Sequence, residues 1–215
     1  MPPLHALVGS WSPDFLSLTL ILAIGAGYLW MARRSGEPTS AQVWSFGGGL
    51  ALWALATLSV IAVYAPVLFW MRALQVLLLL FVVPFLLAMG RPVATLRAAS
   101  SASGRRRLNG LLGSLPARLV CSPAVTSALM LATPWLLYLT PWYVASLTNG
   151  VVAALTRILL PLIGFGYFYA RLQSDPVPHH YSPLLSIGIS VAETLGDGLL
   201  GLVLWLGPQV RPRPA

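Results

Sequence analysis

The 215-residue chain is 57% hydrophobic and only 8% charged, with a mean hydropathy of +0.80. Water-soluble domains carry roughly 25% charged residues, so a soluble fold is excluded. The net charge of +8 comes from 13 arginines, with no lysine, against five acids.

Long continuous apolar runs reach the ~20 residues that a helix needs to cross a bilayer, whereas a β-barrel would show short alternating segments. The fold class expected is all-α: a polytopic transmembrane helix bundle of about six spans. Residues 1–215 form a single integral membrane domain. The first span is predicted over Phe15–Ala32 and the second over Val43–Ala65. The third follows Pro66 and runs to Gly90; the fourth covers Pro123–Thr140, the fifth Val144–Ala170 and the sixth Leu184–Leu206. Pro84, Pro134 and Pro161 lie inside spans, where kinks are expected. The N-terminus lacks the basic region and cleavage site of a signal peptide, so the first apolar segment is expected to remain as a span.

The connections set the orientation. Residues 91–122 form an Arg-rich loop holding Arg91, Arg97, Arg105, Arg106, Arg107 and Arg118 without an acid. Arg33 and Arg34 lie in the first loop, Arg171 opens the fifth, and the second and fourth carry no charge. The positive-inside rule then makes the odd loops cytoplasmic and the N-terminus external, with Arg211 and Arg213 against the rule. Arg105, Arg106 and Arg107 are candidates for partner or lipid contact, with a short interfacial helix after Arg107. Arginines beside spans set topology and meet anionic headgroups, so no nucleic-acid partner is expected.

Four ionisable residues fall inside predicted spans: Arg72, Arg157, Glu193 and Asp197. Such residues cost about 2.5–3.5 kcal/mol each on insertion scales and face a partner or a cavity. Counted from the outer end of each predicted span at 1.5 Å per residue, Arg72 lies about 9 Å deep and Asp197 about 13 Å; Arg157 and Glu193 lie at roughly 20 Å. Glu193 and Asp197 share a helix face, being four residues apart. The expected pairs are therefore Arg157 with Glu193 and Arg72 with Asp197, span six presenting this face to spans three and five. Ala192 and Gly196 form a small-xxx-small pair suited to close helix approach.

Cys121 is the only cysteine, so neither an internal disulfide nor a thiolate cluster can form. No His-Glu-x-x-His, Gly-x-Ser-x-Gly or Ser–Lys pattern occurs, and the chain is read as a non-enzyme.

The second and third spans together resemble the CtaG family of cytochrome c oxidase assembly proteins, bacterial membrane proteins linked to copper delivery. Further marks are the Gly90–Val93 exit of span three, "YLTPWYVASL" (138–147), "YFYARLQSDPVP" (167–178) and Gly201 in span six, so that the resemblance covers roughly residues 44–205. The resemblance implies a multi-pass protein of the bacterial cytoplasmic (inner) membrane whose partners are the lipid bilayer and respiratory oxidase subunits. It also implies copper, through a His-Met-x-Gln-His motif in span three. Aligned on Gln75, those histidines fall on Arg72 and Val76 and the methionine on Ala73. Two further family histidines fall near Arg157 and on Asp197. Guanidinium does not ligate copper, and the remaining His5, His179 and His180 lie outside the spans. The expectation is an assembly factor without a cofactor or metal ligands of its own, acting through partner binding. The alternative is a transporter or channel for protons, metal or a small solute along the Arg/acid cluster.

Overall fold

The computed structural model describes residues 11, 14–114, 122–172 and 183–206, the last stretch with side chains from Thr194 onward. These residues are helical, with no strand among them. Helix α1 spans Phe15–Ser35, α2 Ser40–Leu58 and α3 Val60–Tyr64. The third long element is compound: α4 (Phe69–Leu77), a π-helical turn (Leu78–Val82), α5 (Val83–Met89) and α6 (Pro92–Ala99). Then come α7 (Ala102–Leu112), α8 (Pro123–Leu139), α9 (Trp142–Thr148), α10 (Gly150–Leu172) and α11 (Pro183–Leu206).

Four helical elements are long and apolar enough to cross a membrane: Phe15–Ser35, Ser40–Tyr64, Phe69–Ala99 and Gly150–Leu172. The fifth candidate is α8 with α9, bent by 69° at the break between them. The predicted fifth span, begun at Val144, thus ran two elements together. The sequence marks the break: Asn149 caps α10, its Oδ1 accepting from Val151 N at 2.9 Å and from Val152 N at 3.3 Å. Of the three prolines expected to kink spans, Pro134 and Pro161 lie inside α8 and α10, which each run on as one helix.

The compound third element lies centrally, packed between α2 and α10. Its π turn has a readable cause. Pro84 has no N–H, so the Leu80 carbonyl loses its ordinary helical donor, and Val83 N bonds back to Leu78 O instead. Gly164 of α10 faces this spot; a Cβ there would collide with the Leu80 carbonyl oxygen and come within 2.5 Å of Pro84 Cγ. Glycine is needed because two backbones touch.

Around this seam the core gathers Trp53, Val76, Leu79, Leu80, Val83, Leu87 and Leu160. Beyond Gly90 the chain turns at Arg91, whose φ of 51° is left-handed, as the following Pro92 disfavours the right-handed helical region. Helix α6 then packs on α1. The Tyr28 ring stacks on Phe46 at 3.8 Å, and its hydroxyl donates to Gly90 O at 2.8 Å.

Candidate functional site: a buried arginine chain

At the end of the bundle where α1 begins, four elements meet around Arg72. Helix α2 stops at Leu58 because Ser59 is extended (φ −91°, ψ −171°). That break takes from the Ala56 carbonyl its intrahelical donor, and Gln75 Nε2 supplies one at 2.7 Å. The other end of the same amide accepts from Arg72 Nη1 at 2.8 Å. One amide orientation satisfies both contacts. Arg72 Nη2 donates to Ser146 Oγ at 2.8 Å, and Ser146 Oγ donates to Tyr143 O at 2.8 Å. A polar chain thus runs from span two through span three to α9.

Its members are deeply buried: Arg72 is 5% exposed, Gln75 2% and Ser146 3%. Arg72 Nε is buried with no hydrogen-bond acceptor. Tyr138, Tyr143 and Arg157 lie within electrostatic reach of the guanidinium, and Phe69, Tyr138 and Tyr143 form a ring cluster with centroids 5.6–6.5 Å apart. Trp142 Nε1 donates to Thr156 Oγ1 at 2.9 Å, tying α9 to α10.

Arg157 sits beside this chain. Its Nε lies 3.1 Å from Asp14 Oδ2. The donor is not aligned for a hydrogen bond, so the contact is an ion pair. Asp14 is the N-cap of α1: Oδ1 accepts from Ser17 N at 3.2 Å and Oδ2 from Ser17 Oγ at 2.7 Å. A carboxylate at a helix N-terminus is favoured by the dipole as well as by these donors.

Of the expected pairings, that of Arg72 with Asp197 is corrected, and that of Arg157 with Glu193 falls on a side chain outside the described residues. Arg72 is held by Gln75 and Ser146 rather than by Asp197. Arg157 is paired with Asp14, while the side chain of Glu193 lies outside the described residues. Helix α11 packs along α8, where Asp197 is exposed. Counted from Gly150, where α10 starts, Arg157 lies about 10 Å in, and α9 belongs to a separate bent segment.

Gly196 does lie at a close approach, its Cβ position 2.5 Å from Leu131 Cδ1 on α8; the Ala192 side chain is outside the described residues. Arg105, Arg106 and Arg107 are exposed on α7, which begins before them at Ala102 rather than after Arg107.

The family model for the cytochrome c oxidase caa3 assembly factor (Caa3_CtaG) matches residues 26–212. The chain belongs to that family. It is also 25% identical over 206 residues to an uncharacterized protein of Mycobacterium leprae (strain TN), covering 90% of this chain and 31% of that one. The chain thus spans under a third of the length of this curated relative. No solved structure matches.

Set against the CtaG family, the positions where the resemblance places copper-binding groups hold Arg72, Ala73, Val76, Arg157 and Asp197. Among the described residues no group of three His, Cys, Asp or Glu side chains is gathered for a metal. Arg72 instead spends two of its nitrogens as donors to oxygen, a role opposite to ligation. Met71 and Met130 are buried apolar residues, Met130 within the hydrophobic core. Among the described residues the donor set at these positions does not fit copper. Cys121, His5, His179 and His180 lie outside the described residues.

Two members of the site escaped the sequence reading. Asp14 precedes an apolar run and has Ser17 three residues on, an N-cap signature. Ser146 carried no such signal, because only the fold brings α9 against Arg72.

Proposed function

We propose that this chain is a non-enzymatic assembly factor for a cytochrome c oxidase that acts by binding partner subunits within the membrane and not by carrying copper on its own ligands. The observation that supports this is the replacement at Arg72. Where the resemblance sets a copper-binding histidine, a guanidinium clamps span three to Gln75 and Ser146. The polar cluster there serves packing of the bundle and, through the bundle, its outer surfaces. Large apolar side chains such as Trp44, Val67 and Trp205 are exposed, suited to lipid tails or to the helices of a partner. In this reading the chain crosses the bacterial cytoplasmic membrane six times with its N-terminus outside, and Arg105–Arg107 contact headgroups or a partner's acidic surface.

Two measurements on tagged protein test it together. Purification from membranes is expected to bring oxidase subunits with it, and Cu(I) loading followed by desalting is expected to leave no bound copper by elemental analysis. One copper retained per chain would overturn the loss of ligation. Absence of oxidase subunits after in-membrane crosslinking would overturn the partner role.

A further inference from the structure

We propose that Arg72 and Arg157 form a phosphate-binding site at the end of the bundle where α1 begins, for the phosphodiester of a phospholipid headgroup or for free inorganic phosphate. Arg72 is a full positive charge, 5% exposed, whose hydrogen-bond partners, Gln75 and Ser146, are both neutral. Its Nε lies on the edge of the guanidinium left over from those two bonds and has no acceptor among the described residues. Buried charges are ordinarily balanced by an opposite charge. Among the described residues the ionised group that acts on Arg72 is a second cation, Arg157. Asp14 balances one of the two charges; the pair of arginines with that single carboxylate carries +1.

The surroundings fit an oxyanion at a bilayer surface. Arg72 lies three residues past the start of α4, about 5 Å in, and Arg157 seven past the start of α10, about 10 Å in. The headgroup layer of a bilayer is about 5–8 Å thick on each side, a depth comparable to these distances from the helix starts. The Arg157 side chain is 20% exposed, so this member of the pair is reached from the surface. Tyr138 and Tyr143 stand within electrostatic reach of Arg72, and their hydroxyls are neutral donors. Trp70, 58% exposed, and Trp142 flank the site, as aromatic residues do at membrane interfaces. A guanidinium fork matches phosphate oxygens in geometry as well as charge. This site is independent of the assembly role.

The test is native mass spectrometry of the full chain in non-ionic detergent, titrated with phosphatidylglycerol and, as the phosphate-free control, dioleoylglycerol. The wild type is expected to retain phosphatidylglycerol and not dioleoylglycerol. Arg72→Gln and Arg157→Gln are each expected to weaken that retention roughly tenfold or more, the worth of one hydrogen bond to a charged group. A parallel thermal-shift titration with inorganic phosphate separates the sources. Displacement of the lipid by inorganic phosphate assigns the site to the free anion, and lipid retained in its presence assigns it to the headgroup. Should Arg72→Gln fail to fold, Arg157→Gln, which leaves the Gln75–Arg72–Ser146 chain intact, decides the matter. Equal retention of both lipids by the wild type with no response to inorganic phosphate, or an Arg157→Gln protein that binds as the wild type does, would overturn the proposal.

Discussion

Among the described residues Arg157 has one carboxylate against it, and that carboxylate does three jobs at once. Asp14 caps α1, accepts from the Ser17 hydroxyl and neutralises Arg157. Removing one partner of a buried pair leaves the other charged and unpaired, which costs about 3–5 kcal/mol in dry sites and less where one side chain still reaches water. Asp14→Asn is therefore expected to lower the stability of the folded bundle in detergent by about 2 kcal/mol. A double-mutant cycle of Asp14→Asn with Arg157→Gln should show coupling well above 0.5 kcal/mol. The same cycle run on Glu193 and Arg157 should show none, and a large coupling there would restore the pairing read from the sequence. That reading saw that arginines inside spans need partners, since the energetic argument needs no structure. It missed the partners because Gln75 and Ser146 are neutral and Asp14 stands just outside an apolar run.

At the scale of elements, hydropathy located the long helices well because crossing a bilayer demands length and apolarity together. It did not locate breaks inside apolar stretches. Ser59 interrupts the second span and Asn149 separates α9 from α10, each a polar residue inside a predicted span. The π turn was foreshadowed by Pro84, but its partner Gly164 was not, because a glycine in an apolar helix gives no sign of what it faces. The contact itself makes a prediction. Gly164→Ala forces a methyl onto the Leu80 carbonyl, whose position is fixed by the helix, and should destabilise by about 1–3 kcal/mol. Gly196→Ala meets only the end of the Leu131 side chain, which has room to change rotamer. Thermal unfolding of the two variants side by side should show a clearly larger loss for position 164. Comparable losses would mean that the seam between α5 and α10 yields as easily as a side chain.

For the whole molecule, orientation is the property that the arginines decide. Residues on α7 and α9 lie at opposite ends of the bundle, and Ser103 and Thr148 are both exposed. In a Cys121→Ser background, Ser103→Cys is expected to react with a membrane-impermeant maleimide only after the cytoplasmic face is opened, and Thr148→Cys in intact cells. Labelling of both from one side would contradict the positive-inside assignment. The first helix carries a different consequence. It is fixed at one end by Asp14 to Arg157 and at the other by Tyr28 to Gly90. Its closing partner emerges from the ribosome 143 residues after Asp14 (157 − 14), which at about 5–20 residues per second is roughly 7–30 s. For that interval this helix lacks one of its two ties, and a chaperone or insertase that shields a lone apolar helix has an opportunity there.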